Sequence, residues 1–493
     1  MPISSDAIPI DIRVPGQYIE IDPSAAARTE PGVPVRVLLL GQKLTAGTAD
    51  AGVPVRVFDA RAAEPLFGRG SMLHRMILAY RAIDARSEMW AIPLADAGAG
   101  VAATKTITIG GTVSAAGTLA LYLGGQRVRI AVPAAQAAAT TASAIAAAIT
   151  ADAMVPFTAA AVNAVVTLTA RHKGELGQAL NVRANYYDGE ALPSGMTLAI
   201  ANGTAGSGNP DISAALAAMG DTWYTDIICP YTDAANLTAL EAECASRFGP
   251  LIAKDAYAYT ARAGTVAQLA AAGGARNSPH LTTWGFYQAA SPLEGWAAAG
   301  AAHAVASAKQ DPAVPVTALA IPAGGAGGLL PPAAADRFTQ EEQNALLYDG
   351  ISTWTVDPAG RVVLSRTITG YQQTALGAED PAYLQIETMK MIAWYRYTLR
   401  ARIAARFGRH KLANDGDRFG AGQRVATPKI IMGEILAHYR EGETRGILSD
   451  FRSFKADSFV ERDETDRTRV NALLRPRFVG QMFVFAARVQ FLH

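Results

Sequence analysis

The stretch VPVRVLLLG at residues 33–41 decides the fold class of this chain. Its apolar run from Leu38 to Leu40 is typical of a short strand that is buried on both faces of a sheet. Ser71 then stands at the N-cap of a helix whose apolar residues recur every three or four positions. A second apolar run follows at residues 89–94. A strand, a helix and a strand in this order predict a right-handed βαβ crossover.

An insertion interrupts the α/β pattern between residues 99 and 208, where charged residues become rare and Ala, Thr, Gly and Val dominate. Runs rich in Thr, Val and Leu at 106–112 and 118–123 predict strands, and the Gly-Gly pair at 124–125 predicts a hairpin turn. The glycine-rich run at 203–208 is typical of a flexible joint. We therefore predict an inserted β-rich outer domain.

The α/β pattern resumes after the joint, and a capping box from Thr339 to Glu342 opens a last α/β region. That region is predicted to hold a long helix at 382–406, a helix from Thr427 to Tyr439 and a loose strand at 451–461. The expected fold is mixed α/β and multidomain. Its parts are an N-terminal extended arm (1–30), an α/β core in two pieces (31–98 and 209–335), the β-rich insertion (99–208), a C-terminal α/β domain (336–476), and a C-terminal strand and arm (477–493).

Both ends of the chain have strand-like sequence. The last stretch, RFVGQMFVFAARVQFLH at 477–493, is apolar on both faces up to Phe485 and alternates from Ala487 onward. We expect residues 478–485 to join the chain's own sheet. A strand at a chain end exposes hydrogen-bonding groups, which pair internally or with another subunit.

Composition excludes several classes of function. A net charge of +1 over 493 residues argues against a nucleic-acid surface or an anionic-membrane binder. Two cysteines, Cys229 and Cys244, are too few for a disulfide framework. The N-terminus lacks the pattern of a signal peptide, and no apolar run reaches the roughly 18 residues of a membrane span, so no membrane insertion is expected.

No catalytic, cofactor-binding or metal-binding residues are predicted. The seven histidines are widely spaced and lack the spacing of metal ligands. The run Asn414–Asp417 resembles a calcium loop, but Ala426 stands where a closing glutamate is needed. Cys229 falls in an apolar strand and is interpreted as part of the core.

A basic cluster covers the end of the long predicted helix and the loop after it, and consists of Arg396, Arg400, Arg402, Arg406, Arg409, His410 and Lys411. It is either a solvated face with cations placed favourably at a helix C-terminus, or a patch that meets acidic residues of a neighbouring subunit. The candidate inter-subunit charge contacts are Arg396, Arg400, Arg406, Arg409, Glu461 and Asp463.

Several runs, in order along nearly the whole chain, carry a family resemblance: FGRGSML at 67–73, WAIPL at 90–94, WYTDIICPYT at 223–232, LYDGIST at 347–353 and RHKLA at 409–413. Together they resemble the tail sheath proteins of Mu-like contractile bacteriophages.

The resemblance implies a subunit without an active site that forms stacked hexameric rings in a helical homo-oligomer. This sheath surrounds the tail tube protein, meets baseplate and tail terminator proteins, and contracts to drive the tube through the host envelope. It implies a location in the virion after assembly in the host cytoplasm. It also implies strand arms that cross between subunits, at Ile8, Ile10, Ile12, Val14, Tyr18, Ile19, Ala487, Arg488, Val489, Gln490, Phe491 and Leu492.

Three alternatives remain at this point. The same subunit suits a phage-like bacteriocin or injection system. An α/β enzyme with a β insertion would place a pocket of convergent polar groups at its strand ends. A filament that does not contract would show one length only.

Overall fold

The structure is a computed structural model that describes residues 33–420 and 422–491. These residues divide into two compact units. The large unit holds residues 34–393, 442–450 and 476–491, and the small unit holds most of residues 394–441 and 451–475.

The strands are β1 (Arg36–Gln42), β2 (Val55–Val57), β3 (Glu88–Leu94), β4 (Ala102–Gly111), β5 (Gly117–Leu123), β6 (Gln126–Val132), β7 (Phe157–Val162), β8 (Val165–Lys173), β9 (Val182–Ala184), β10 (Met196–Asn202), β11 (Asp226–Ile228), β12 (Tyr257–Ala263), β13 (Leu281–Phe286), β14 (Ile351–Val356), β15 (Val362–Arg366), β16 (Lys411–Leu412), β17 (Val425–Ala426), β18 (Phe459–Arg462) and β19 (Val470–Leu473).

The α-helices are α1 (Ala63–Phe67), α2 (Met72–Arg81), α3 (Ala138–Ala151), α4 (Leu176–Ala179), α5 (Ser213–Ala218), α6 (Ala234–Phe248), α7 (Val266–Gly274), α8 (Leu293–Gln310), α9 (Gln340–Tyr348), α10 (Ile386–Phe407), α11 (Pro428–Thr444) and α12 (Phe451–Asp457).

A central sheet of eight strands organises the large unit, in the order β15-β14-β13-β12-β11-β1-β3-β2. The predicted parallel pairing of the first two strands is confirmed, because β1 pairs with β3 in parallel and α2 lies between them in the chain. Ser71 caps α2 as predicted, since its side chain accepts a hydrogen bond from the backbone N–H of His74. Residues Val37–Leu40 are fully buried, which is why this strand reads as one apolar run.

The central sheet also contains β14 and β15, a hairpin that closes one end of it. The predicted boundary at residue 336 therefore does not separate two sheets. The sequence suggested a new domain there because the connector at 322–332 is rich in Gly and Pro. The pairing of Thr283 with Ile351, which joins β13 to β14, is a long-range contact that no local pattern reveals.

The insertion folds around a hydrophobic core of its own. Strands β10, β4, β8 and β7 form one antiparallel sheet, and β6, β5 and β9 form another. Helix α3 packs on this core through residues such as Ile145 and Ile149, which are fully buried together with Leu119 and Leu168. The predicted hairpin is present, with Leu123 opposite Gln126 across the two glycines.

The small unit is mostly helical, and one prediction made for it was wrong. Residues 451–457 form α12 rather than a strand, and only residues 459–462 of the predicted segment are extended. The aromatic run misled the prediction, because Phe454 is fully buried and stacks on Tyr439 of α11 at 3.7 Å between ring centroids. Packing against a neighbouring helix overrode the local strand preference.

The predicted strand at residues 478–485 is also wrong. No regular strand follows β19 in the described chain, and Phe478 makes only an isolated bridge with Leu448. The physical reason is that the neighbouring sheet edge is already occupied. Ala318 and Ile321 donate backbone hydrogen bonds to Leu364 and Val362 on the outer side of β15, at 2.8 and 2.7 Å.

A glycine at the contact between α8 and β13 provides a test of this packing. A Cβ atom on Gly300 would lie 2.5 Å from the ring of the buried Trp284. We expect Gly300→Ala to lower the free energy of unfolding by about 1–3 kcal/mol, because overpacking outweighs the better helix propensity of alanine. Chemical denaturation measures the change.

The matched control is Gly433→Ala in α11, where a Cβ atom would meet nothing within 4 Å. This substitution should raise stability by up to about 1 kcal/mol. Equal effects of the two substitutions would contradict the close packing at Gly300.

Candidate assembly surfaces

The C-terminal segment is attached to the large unit by a short run of backbone bonds. Ser449 donates its N–H to the carbonyl of Arg477 at 2.9 Å, and Val479 donates to the carbonyl of Ile447 at 3.1 Å. The guanidinium of Arg477 also lies 3.2 Å from the carboxylate of Asp450. These bonds hold residues 477–479 in place on the large unit.

Two side-chain contacts guide the segment for a few residues more. The amide of Gln481 donates to the carbonyl of Ala313 at 3.3 Å. The guanidinium of Arg366 lies 4.7 Å from the ring centroid of Phe483, a cation–π contact. Phe483 and Val484 form part of the wall of an open groove of about 1050 Å³ beside α9 and β15.

The segment then exposes its large apolar side chains. Met482, Val484, Phe485, Val489 and Phe491 are 77–86% exposed, all within ten residues. Scattered exposed apolar residues are ordinary, but a run of five in one short segment is typical of a binding surface.

The predicted arm residues are distributed as follows. Residues 487–491 lie in this exposed segment, without regular secondary structure. The N-terminal candidates Ile8, Ile10, Ile12, Val14, Tyr18 and Ile19, together with Leu492, lie outside the described residues.

The small unit contains a two-stranded antiparallel sheet, β18 and β19, to which no third strand of the described chain is added. Phe459 and Leu473 stand opposite each other in this sheet and are 51% and 43% exposed. A hairpin of this kind offers free backbone groups along both edges and an apolar pair on one face. Sequence reasoning missed β19, because its segment is only four residues long.

The basic cluster is bound in part to the chain's own carboxylates. Arg402 donates to Glu434 and to Glu441, each at 2.6 Å, and Arg406 lies 3.8 Å from Glu434. Burial acts to lower the pKa of Arg402. The hydrogen bonds to Glu441 and Glu434 outweigh this effect, so the pKa of Arg402 lies above its usual value. Helices α10 and α11 are thereby joined within the small unit.

The acidic candidates have separate roles. Asp463 accepts backbone N–H bonds from Asp466 and Thr465 and a side-chain bond from Asn471, and these bonds lower its pKa. It therefore shapes the turn between β18 and β19. Glu461, Arg400 and Arg409 are exposed, and Arg396 is half-buried. The structure does not bring these arginines to Glu461 or Asp463 in the same chain through any contact of the described residues.

Buried polar groups collect at the carboxyl ends of the central strands, which sequence reasoning did not single out. The sheet order changes direction between β1 and β11, and a doubly wound sheet binds ligands at such a point. Here residues of the insertion fill the crevice. His172 and Leu176 meet Gln42 and the ion pair of Arg75 with Glu294, and the space left is about 20 Å³.

The described residues bear on metal binding and on membrane spanning. Within residues 33–420 and 422–491, no group of three His, Cys, Asp or Glu side chains is placed to hold a metal ion. Nor does any helix in those ranges combine the length and the apolar character of a membrane span. Residues 415–416 form a turn, and Cys229 is fully buried, which confirms its interpretation as part of the core.

Comparison with known proteins agrees with this architecture. Sequence models of three domains match the chain: the phage tail sheath protein beta-sandwich domain over residues 98–197, the central domain over 205–370, and the tail sheath C-terminal domain over 378–492. The Mu-like prophage FluMu tail sheath protein of Haemophilus influenzae is 39% identical over 492 residues, which is 100% of each chain.

Solved structures to which the chain is similar include the sheath tail protein of Desulfitobacterium hafniense, at 14% identity and a TM-score of 0.44, covering 94% of this chain and 100% of that one. The contracted sheath complex of the extracellular contractile injection system PVC covers 97% of this chain and 98% of its own, at 10% identity and a TM-score of 0.49.

The full-length relative and the three domain matches define a structural protein of a contractile phage tail. The chain belongs to the phage tail sheath protein family, and the predicted resemblance is confirmed. Its function is that of a sheath subunit.

The pairing of Arg402 with two glutamates generates a test of the basic cluster. Arg402→Met should lower the stability of the small unit by about 1–3 kcal/mol, because it removes the guanidinium that donates to both Glu434 and Glu441. Arg409→Met, at an exposed position beyond α10, should change stability by less than about 0.5 kcal/mol. Thermal unfolding of both variants measures this, and equal losses would count against the internal role of Arg402.

Proposed function

We propose that this subunit forms stacked hexameric rings around a tail tube and links them by strands that cross between copies. The observation that carries the proposal is the apolar segment at 482–491, whose large side chains are 77–86% exposed and which follows residues 477–479, bonded to the large unit. In this proposal contraction of the polymer drives the tube through the host envelope.

The sequence of the segment suits strand addition. If residues 485–491 are extended, Phe485, Ala487, Val489 and Phe491 share one face, while Arg488 and Gln490 share the other. One face can pack on a neighbour while the other stays in water. Main-chain bonds supply the affinity of such an added strand, and the alternate side chains supply its register.

The β18–β19 hairpin of a second copy is the receiving sheet that we infer. Its free edges offer backbone donors and acceptors, and the exposed pair of Phe459 and Leu473 offers an apolar surface. The N-terminal residues 8–19, whose apolar side chains alternate, are proposed as a second arm that adds a strand to a neighbour.

A strand link suits a polymer that must change shape. Backbone bonds between strands persist while the bodies they connect rotate, whereas contacts between rigid surfaces must break. Arg400, Arg409 and Glu461 are exposed and are proposed to make charge contacts between subunits in one or both states, with Arg396 beside them. Arg406 and Asp463 already bond to groups of their own chain, so a contact of either with a neighbouring subunit would be additional to those bonds.

The proposed partners are further copies of the chain, the tail tube protein, and baseplate and terminator proteins, without direct binding to nucleic acid or insertion into a membrane. The proposed location is the virion, after assembly in the host cytoplasm. We also infer that the chain is not an enzyme. Family membership and the filled crevice at the carboxyl ends of the central strands support this.

A truncation separates folding from assembly. A chain that ends at Gln481 keeps the backbone bonds of Arg477 and Val479 and loses the exposed segment. We expect it to remain folded, with an unchanged circular dichroism spectrum, and to form no long tubes under the electron microscope.

Two double substitutions supply the matched control. Phe485→Ser with Val489→Ser removes the apolar face and should abolish long tubes. Arg488→Ser with Gln490→Ser changes the opposite face and should preserve them. Tubes of normal length from the truncated chain, or the same outcome from both double variants, would overturn the assignment of the C-terminal arm.

A further inference from the structure

The inserted region leaves the central sheet after β3 and returns to dock at its carboxyl end. Asp96 is the centre of this joint. Its carboxylate accepts hydrogen bonds from Gln42 at 2.7 Å, from the ring of His172 at 3.3 Å and from the backbone of Lys173 at 3.2 Å. Strand β8 of the insertion is thus tied to residues at the ends of β1 and β3.

The loop before α2 forms the other side of the joint. Gly70 has a φ of +74°, and a Cβ atom there would lie 1.8 Å from the carbonyl oxygen of Ala153 in the insertion. Only glycine permits both this backbone conformation and this close approach. The loop of residues 68–72 is therefore fitted directly against the inserted region.

Two histidines accept backbone hydrogen bonds from that loop. Met72 donates its N–H to Nε2 of His172 at 3.0 Å, and Gly70 donates to Nδ1 of His74 at 3.0 Å. Each accepting nitrogen must be without a proton, so both bonds require a neutral imidazole. In His172 the hydrogen is then on Nδ1, which faces Asp96.

Some of the charged groups around the two rings favour the protonated imidazole, and others favour the neutral one. His172 is faced by Asp96 after β3, Arg75 on α2 and Glu294 on α8, and it is flanked in sequence by Arg171 and Lys173. Arg75 and Glu294 form a buried pair at 2.6 Å, so their charges largely compensate each other. Around His74 the charged residues are Glu64, Arg69 and Arg75.

We propose that this joint is acid-sensitive, and that protonation of His74 and His172 frees the loop at 68–72 and loosens the inserted β-rich region from a central sheet that stays folded. A protonated ring places an N–H where each loop N–H now finds an acceptor. At each ring two donors then face each other, and the buried space beside His172 and Met72 is about 20 Å³, room for about one water molecule.

Burial lowers the pKa of both histidines below the ordinary value of 6.5, and Arg75 adds to this effect. A base whose pKa is lowered in the joined state binds protons more readily when the joint is open. The stabilisation is therefore complete above about pH 6.5 and declines as the pH falls below that value.

Hydrogen exchange of the full-length chain at pH 7.5 and pH 5.5, corrected for intrinsic rates, tests the proposal. A single net hydrogen bond corresponds to about fivefold in an equilibrium constant, so loss of two should lower protection by about tenfold or more in peptides covering 68–76 and 165–176. Peptides covering β11 to β13 should change by less than about twofold. Unchanged protection of the joint at pH 5.5 would overturn the proposal.

Variants assign the effect to these rings. His74→Asn combined with His172→Gln keeps a side-chain acceptor at each site and removes the titrating group, so protection should stay constant with pH. Each single variant should retain part of the acid response, which keeps the test decisive if the double variant folds poorly. An acid response of normal size in the double variant or in both single variants would contradict the proposal.

His303→Gln is the matched control. His303 is half-buried in α8, and burial lowers its pKa to about 4. Its ring bonds to the carbonyl of Ala320 at 3.2 Å, which a glutamine amide can also do. This variant should keep the acid response at residues 68–76. Loss of that response would mean that His303 in α8, and not the rings of His74 and His172, carries the acid sensitivity.

Discussion

The buried ion pair between Arg75 and Glu294 is the interaction on which the large unit depends. It joins the first turns of α2 and α8 at 2.6 Å, and the side chains are only 9% and 3% exposed. Arg75 also donates to the carbonyl of Gly70 at 2.5 Å and so positions the loop against which the insertion docks. Loss of one partner from such a pair leaves a buried charge, which typically costs about 3–5 kcal/mol.

This arrangement explains how a fold suited to ligand binding serves a structural role. The crevice at the carboxyl ends of the central strands, where doubly wound sheets bind ligands, is filled by His172 and Leu176 of the insertion. The same groups that in an enzyme would surround a substrate hold two parts of one subunit together.

A subunit of a contractile polymer needs a rigid body and adaptable links. The central sheet supplies rigidity, because its strands are buried on both faces and paired over long sequence separations. The C-terminal segment is different, since the side chains of Met482, Val484, Phe485, Val489 and Phe491 are 77–86% exposed. Apolar exposure of this kind is unfavourable in an isolated subunit and becomes favourable when a second copy covers it.

Most elements of the large unit were predictable from sequence because their signals are local. The apolar run at Leu38–Leu40, the cap at Ser71 and the glycine turn at 124–125 each specify an element within a few residues. The errors came where distant residues decide. The run at 451–457 became a helix because Phe454 packs on Tyr439. The run at 478–485 forms no strand, because the edge of β15 is already occupied by residues 318–321.

The sequence by itself therefore determined the fold class, the inserted region, the apolar alternation of the C-terminus and the family resemblance, since each is encoded by residues close together or in a fixed order. Only the tertiary structure decided that β14 and β15 extend the central sheet and that Arg402 pairs with α11. Only the tertiary structure showed that His74 and His172 both accept hydrogen bonds from the loop at residues 68–72. These contacts join residues far apart in the chain, and their energies depend on burial and hydrogen-bond geometry, which no local pattern records.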